Sequence, residues 1–335
     1  MKIAMIGAGS WGTAVAGLAA ARAESVCMWA HSASTAEGIN QNGYNPRYLC
    51  DYKLPDNIVA THDIERCVTG ADGIIFAVPS THLRGVAREA AVFVAPETPV
   101  LCLTKGVERG SGLLMSEVIG EELGHPERIA ALSGPNHAEE VCRGSLSAAV
   151  IASEDPGISS FFRDALISTA FRVYVTHDMV GVEVCGAAKN IIAVICGISA
   201  GVGYGDNTLA LIMTRGLAEI SRLVHARGGD AMTCMGLAGM GDLVATCTSP
   251  HSRNRSFGVA FSQGVSLDQY QRDSHMVVEG AAAARSVSEL ARSLGVDAPL
   301  TLALNKTLYE GCTIAEALEI LTDRCPNQEF YGMED

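Results

Sequence analysis

The chain has 335 residues, of which 48% are hydrophobic and 18% charged, enough for two domains with a large core and against disorder. Its formal net charge of -13 and its 5% aromatic content exclude nonspecific binding to nucleic acid or anionic membrane, and base-stacking recognition with them. Eleven cysteines, an odd number with no Cys-x-x-Cys pair, give neither a disulfide framework nor a zinc spacing. Reduced thiols in a cytoplasmic protein are expected, and no metal is called for.

Residues 2–6 read as an apolar strand that begins at once, not as a signal peptide. Residues 11–23 are Ala-rich and helical. Between them Gly7, Gly9 and Gly12 make G-x-G-x-x-G in a strand–turn–helix setting. The first glycine permits a tight turn, the second lets backbone approach a pyrophosphate, and the third lets helix and strand pack closely. The helix N-terminus adds partial positive charge, so a dinucleotide site is expected.

A second strand, residues 25–30, ends at His31-Ser32 with neither the acid that would hold a ribose 2′-hydroxyl nor an Arg for a 2′-phosphate. His31 and Ser32 can hydrogen-bond either group, so the reading leans to NADPH and leaves NADH open. Further apolar strands are expected over residues 73–78, 99–103, 129–132 and 146–151. Apolar strands separated by helices imply a parallel sheet covered on both faces, which binds ligands beyond its carboxyl ends. The loops there carry Ser10, Ser80, Lys105 and Asn136. A cation at Lys105 can meet cofactor and substrate together, or be an ordinary exposed lysine.

The character changes after His177. Helices are expected over residues 180–200, 207–226, 281–294 and 299–309, with no alternating strand. The division is therefore residues 1–177 and 178–335: an α/β doubly wound sheet, then an all-α domain. Residues 184–202 are the most apolar run, but Lys189 and Asn190 interrupt it. Placing them mid-bilayer is costly, so a buried helix is expected and no membrane insertion. Residues 324–335 read as a loosely held tail.

Lys189 is the only basic residue between His177 and Arg215. Burial lowers a lysine pKa, and a lysine tuned to about 7–8 suits a general acid/base. Asn190 beside it can hold a substrate oxygen or serve packing. In Gly236-Leu237-Ala238-Gly239-Met240-Gly241-Asp242-Leu243 a glycine-rich turn delivers an acid. Asp242 can orient Lys189, accept a substrate hydroxyl, or cap a helix. A polar loop follows, with Ser252, Arg253 and Asn254 adjacent, and in this acidic chain the cluster suits a phosphate. Arg255 reads as a solvated neighbour.

Taken together, these segments form a recognisable pattern. It comprises Gly7-Ala8-Gly9-Ser10-Trp11-Gly12-Thr13-Ala14, Asn45-Pro46-Arg47-Tyr48-Leu49, Ala77-Val78-Pro79-Ser80 and Thr104-Lys105-Gly106. It continues through Ser133-Gly134-Pro135-Asn136-His137-Ala138, Lys189-Asn190, the stretch 236–254, Val277-Val278-Glu279-Gly280 and Leu308-Tyr309-Glu310-Gly311. The chain resembles the bacterial-type NAD(P)-dependent glycerol-3-phosphate dehydrogenase family along nearly its whole length. The resemblance implies a Rossmann-type domain, NADPH or NADH, and interconversion of dihydroxyacetone phosphate and sn-glycerol 3-phosphate for glycerophospholipid synthesis.

By position, it implies that Lys189 donates and accepts the proton. It makes Lys105, Gly134, Asp242, Ser252, Arg253 and Asn254 substrate ligands. It makes Ser10, Trp11, His31, Lys105, Ala138, Arg253, Val277 and Glu279 cofactor contacts. Asn136 stands where the family often has Ser or Thr, and the second strand lacks the Arg common in NADPH-using members. Two other readings compete: a β-hydroxyacid dehydrogenase of similar plan, and a non-catalytic dinucleotide sensor. The latter would need Gly7–Gly12 but not Lys189, Asp242 or Arg253. A helical second domain also allows a homodimer.

Overall fold

The computed structural model describes residues 1–274, 277–325, 328–329 and 331–333. The chain forms two compact units, one of Met1–Thr104 with Met115–Met179, the other of Lys105–Leu114 with Val180–Asp335.

The first unit is built on eight strands: β1 (Lys2–Ile6), β2 (Ser25–Trp29), β3 (Ile58–Thr61), β4 (Gly73–Phe76), β5 (Val100–Cys102), β6 (Ile129–Ser133), β7 (Ser147–Ala152) and β8 (Phe171–Thr176). Seven helices accompany them: α1 (Ser10–Ala20), α2 (Ala33–Asn42), α3 (Ile64–Val68), α4 (Ser80–Ala91), α5 (Met115–Leu123), α6 (Ala138–Cys142) and α7 (Pro156–Leu166). The sheet order is β3-β2-β1-β4-β5-β6-β7-β8. The chain departs from β1 in both directions, so the order reverses there, and ligands of doubly wound sheets bind at such a switch point. Met5, Met28, Ile75 and Leu101 are buried in one core with Ala14, Val15 and Ala19 of α1. Small side chains on α1 let it lie close to the strands.

Two strands escape the apolar-run criterion. β3 has four residues, and β8 alternates buried Phe171 and Val173 with exposed Arg172 and Tyr174. Both are edge strands, where one side of the ribbon meets solvent. The sequence also predicts a uniformly parallel sheet, but β7 runs antiparallel to β6, pairing Ala131 with Ala152. Residue patterning reports burial and is blind to strand direction, so this reversal has no signature in composition.

The second unit is helical: α8 (Met179–Gly201), α9 (Asp206–Ala226), α10 (Asp242–Thr248), α11 (Arg253–Ser262), α12 (Leu267–Ser274), α13 (Glu279–Leu294), α14 (Pro299–Tyr309) and α15 (Ile314–Thr322). The polar stretch around Arg253, expected as a loop, is instead the first turn of α11, with Ser252 as its N-cap. α8 is long and apolar enough to cross a membrane, yet 83% of its most apolar window is buried inside the protein. The described part of the carboxyl-terminal stretch is tied down. Arg324 donates to Asp297 at 2.6 Å, the Tyr331 hydroxyl donates to the same carboxylate at 2.8 Å, and the Arg222 guanidinium lies 4.4 Å from the Tyr331 ring centre. Residues 326, 327, 330, 334 and 335 of the expected tail lie outside the described residues.

Candidate active site

In the first unit the three glycines after β1 have three different tasks. Gly7 has φ +122°, and a Cβ there would lie 2.5 Å from the Ala77 carbonyl oxygen. A Cβ on Gly12 would strike the Gly7 carbonyl oxygen, whereas Gly9 has nothing within 4 Å of that position. Two glycines thus permit tight packing, and the third leaves open space at the start of α1. Gly9 is the N-cap, no side chain caps the helix, and its first turn holds no acid. Its amino-terminal N–H groups and dipole therefore suit a pyrophosphate.

Fully buried Asn45 braces this turn. Its Nδ2 donates to the Ala8 carbonyl at 2.9 Å and to Thr13 Oγ1 at 2.8 Å, while its Oδ1 accepts from the backbone of Arg47 and Tyr48. The sequence offers an Asn-Pro turn signal at this position but no hint of its long-range partners.

Arg128 Nε of this unit is buried without a hydrogen-bond partner, although its guanidinium is otherwise held by the Ala95, Thr98 and Leu123 carbonyls; Trp11 Nε1 and Asn136 Nδ2 are likewise buried donors without a partner. An orphaned buried donor costs about 1–3 kcal/mol, so these atoms suit a ligand rich in acceptors. With the open Gly9 cradle, they fit a dinucleotide. His31 is exposed, edge-on to Trp29 with ring centres 6.2 Å apart, and the Ser32 hydroxyl shares a 2.7 Å hydrogen bond with Ser34. Gly134 has φ +147°, and a Cβ there would lie 2.8 Å from the Ala148 carbonyl oxygen. Packing against β7 is reason enough for its glycine. Ala138 is buried at the start of α6.

In the second unit the sequence-predicted residues converge. Lys189 is 6% exposed and does not reach solvent. Its Nζ donates to Asp242 Oδ1 and, at 2.7 Å, to Thr246 Oγ1. The other oxygen of Asp242 accepts from Lys105 Nζ at 2.7 Å. One buried carboxylate therefore bridges two ammonium groups. It is placed by a single π-helical turn, Leu237–Gly241, in which the Gly241 N–H donates to the Gly236 carbonyl at 3.1 Å. Such turns often mark functional positions in helices. Gly241, not Asp242, is the N-cap of α10, so the Asp242 side chain is spent on the lysines and not on capping.

Thr246 is the member that sequence reasoning missed. It lies one turn beyond Asp242, and its hydroxyl donates to the Asp242 carbonyl at 2.6 Å, which aims its lone pairs at Lys189. Its i, i+4 spacing from Asp242 is a signal only once that helix is known.

Burial sets the electrostatics. It pushes Lys189 down to about 8, with Asp242 opposing the shift and the Lys105 charge adding to it. Burial alone would push the Asp242 carboxyl up, but the ammonium groups of Lys105 and Lys189 outweigh it and hold it at about 2. The cluster thus pairs a lysine able to give or take a proton near neutrality with a carboxylate that stays ionised.

Beside it runs a chain of amides. Asn254 Nδ2 donates to Asn190 Oδ1 at 2.9 Å, and the Gly280 N–H donates to Asn254 Oδ1 at 2.9 Å. These bonds tie α8, α11 and the start of α13 together, and each amide keeps N–H capacity for a ligand oxygen. Buried Ser252 caps α11 by accepting from the Arg255 N–H at 3.3 Å. Arg253 is exposed on the first turn of that helix. Arg255, expected as solvated, is half-buried with its Nε lacking a partner. Glu279 opens α13 and Val277 is half-buried just before it.

Two family descriptions match the chain: the NAD-dependent glycerol-3-phosphate dehydrogenase N-terminus over residues 2–159 and the C-terminus of the same family over residues 178–319. A glycerol-3-phosphate dehydrogenase [NAD(P)+] of Chlorobium luteolum is 43% identical over 98% of this chain and 99% of its own length. The protein of the same name from Corynebacterium urealyticum is 42% identical over 98% of this chain and 100% of its own. The crystal structure of glycerol-3-phosphate dehydrogenase from Coxiella burnetii superposes with a TM-score of 0.92 at 37% identity. That match covers 96% of this chain and 99% of the other.

Proposed function

The chain belongs to the NAD-dependent glycerol-3-phosphate dehydrogenase family, and from that membership we propose that it reduces dihydroxyacetone phosphate to sn-glycerol 3-phosphate, with residues 1–177 holding the dinucleotide and 178–335 the substrate. The observation that carries this reading is the buried Lys189–Asp242–Lys105 cluster. The cofactor is NAD or NADP, and when bound its nicotinamide exchanges a hydride with C2 of the substrate.

Lys189 gives its Nζ proton to the C2 oxygen during reduction and takes it back during oxidation. Asp242 and Thr246 hold the ammonium in one orientation, so less reorganisation is left for the reaction itself. When Lys189 becomes neutral, Asp242 keeps Lys105 as its counter-charge, and no buried carboxylate is left unpaired. By family position Lys105 is also a substrate ligand. Arg253, Ser252 and Asn254 take the phosphate at the amino end of α11, where side-chain charge and helix dipole act together. Asn190 completes the substrate side through its remaining N–H. Gly7, Gly9, Ser10, Trp11 and Gly12 cradle the dinucleotide, His31 lies at the adenosine ribose, and Gly134, Ala138, Val277 and Glu279 are assigned by family position. His31 and Ser32, without an adjacent acid or Arg, accept NADPH and leave NADH usable.

The phosphate assignment separates this reading from a β-hydroxyacid dehydrogenase, whose substrates offer a carboxylate or thioester instead. A hydrogen bond to a charged group contributes about 1.5–3 kcal/mol. Arg253→Ala is therefore expected to raise KM for dihydroxyacetone phosphate about 10- to 100-fold, with a smaller effect on kcat. Steady-state kinetics at saturating NADPH checks this, and an unchanged KM removes Arg253 from the phosphate site. We also place the enzyme in the cytoplasm as a homodimer, its product feeding glycerophospholipid synthesis. Eleven cysteines without the spacing of a disulfide framework support the compartment, and exposed Val202, Tyr204 and Leu211 on the helical unit support self-association.

A further inference from the structure

Cys185 and Cys234 are both 0% exposed, and their sulfurs lie 3.5 Å apart. Cys185 is one helical turn before Lys189 on α8, on the same face. Cys234 lies in the short 3-10 stretch Ala231–Met235, immediately ahead of the glycine turn that delivers Asp242. The two thiols therefore sit on the two pieces of chain that carry the bridged Lys189–Asp242 pair.

We propose that Cys185 and Cys234 form a redox-modification site, a dithiol that hydrogen peroxide closes to a disulfide, which turns the enzyme off.

Access comes from the Cys234 side. Its neighbours Met232 and Met235 are 70% and 62% exposed, so the stretch lies at the surface with Cys234 as its inward residue. Opening five residues is a local event, far smaller than unfolding the unit. In the opened stretch the Cys234 thiol gives up its proton, and the thiolate attacks one peroxide oxygen; the O–O bond breaks, a sulfenic acid is left, and the departing hydroxide takes up that proton as the first water. The Cys185 thiol then attacks that sulfur, the S–O bond breaks, and the second water leaves with the remaining thiol proton. Two thiols and one peroxide become one disulfide and two waters, with two electrons passing from sulfur to oxygen.

The pair is close enough to bond without moving an element across the unit. A disulfide brings the sulfurs to about 2.05 Å, so the two segments must approach each other. Cys234 cannot make that approach alone. A Cβ on Gly239 would strike the Cys234 backbone, so these two residues are packed main chain on main chain. A shift at Cys234 passes into the 237–241 turn and from there to Asp242. Misplacement of a catalytic group by about 1 Å costs roughly 100-fold in rate.

Hydrogen peroxide treatment of the full chain, followed by peroxide removal, differential alkylation and peptide mass spectrometry, tests the site. The expected result is a Cys185–Cys234 cross-link, a loss of turnover near 100-fold, and recovery on adding dithiothreitol. Cys185→Ala and Cys234→Ala are each expected to keep the activity of the reduced protein and to resist this reversible loss. Either variant suffices if the other fails to fold. The site is overturned if peroxide oxidises the exposed Cys50 and Cys325 while no Cys185–Cys234 cross-link appears. The switch is overturned if the cross-linked protein turns over normally, or if either variant is inactivated like the wild type. The switch rests on Lys189 and Asp242 acting as proposed. The cross-link does not, so mass spectrometry separates failure of the site from failure of the enzymatic reading.

Discussion

Replacing Lys189 with Ala is expected to lower kcat for dihydroxyacetone phosphate reduction by about 100- to 10,000-fold, the range that a positioned general acid contributes, while NADPH binding is retained. The loss falls on the proton delivered to the C2 oxygen. Folding should survive, because the substitution leaves Asp242 paired with Lys105 at 2.7 Å rather than as an uncompensated buried charge. Rapid-kinetic turnover together with a fluorescence titration of NADPH separates the two effects. A variant with wild-type kcat would remove Lys189 from the chemistry. One that loses NADPH binding as well would point to a broader structural lesion.

Asp242→Asn is expected to have the second largest effect, and its signature is a shift with pH. The carboxylate is what holds the proton on Lys189 against burial and against the neighbouring Lys105 charge. Without it the Lys189 pKa falls below about 8, and the pH at which reduction declines moves in the acid direction. The variant is also destabilised, because two ammonium groups then face each other in a buried place. Removing one partner of a buried ion pair costs about 3–5 kcal/mol.

The sign of the stability change follows from linkage. Lys189 has a folded pKa of about 8, below the ordinary 10.5. Between those values the unfolded chain binds more protons, and stability rises with pH. In the Asn variant that window opens at lower pH, so part of the loss is recovered as the solution becomes alkaline. Asp242 itself is depressed to about 2. Its contribution in the wild type is present above the ordinary carboxylate range and is lost only as pH falls through that value. Thermal unfolding of both proteins against pH checks the prediction, and parallel curves would show that Asp242 does not act through Lys189.

The sequence carries the residues proposed to react more clearly than their surroundings. Lys189 was legible because a single cation inside an apolar helix has few explanations, and Asp242 because a glycine-rich turn isolates it. Lys105 was legible only as a cation at a strand end. Its meeting with Asp242 is a contact over 137 residues that no local pattern encodes. Thr246 has no signal of its own, because the sequence places it in a polar stretch and the short helix that sets its spacing from Asp242 emerges only in the structure. Asn254 and Asn190 are legible as polar groups suited to a substrate, but the hydrogen bond between them, across 64 residues, is not.

In the first unit the glycine turn and the central strands followed from apolar runs and spacing. The edge strands β3 and β8 did not, because β3 is only four residues long and β8 alternates buried with exposed side chains. The direction of β7 was hidden for a different reason, since side-chain alternation is the same in either sense. The charge of Arg255 alone points to solvent, whereas helix formation from Ser252 leaves it half-buried.

The most direct test of Lys189 as the proton donor is the oxidation of NADPH and NADH by dihydroxyacetone phosphate, followed by nicotinamide absorbance across a pH series. Turnover is expected, with kcat for reduction falling as pH climbs through about 8 and Lys189 loses its proton. The reverse reaction is predicted to rise through the same range, because it needs the neutral amine. A folded protein that binds NADPH yet does not reduce dihydroxyacetone phosphate at any pH would contradict the proposed reaction.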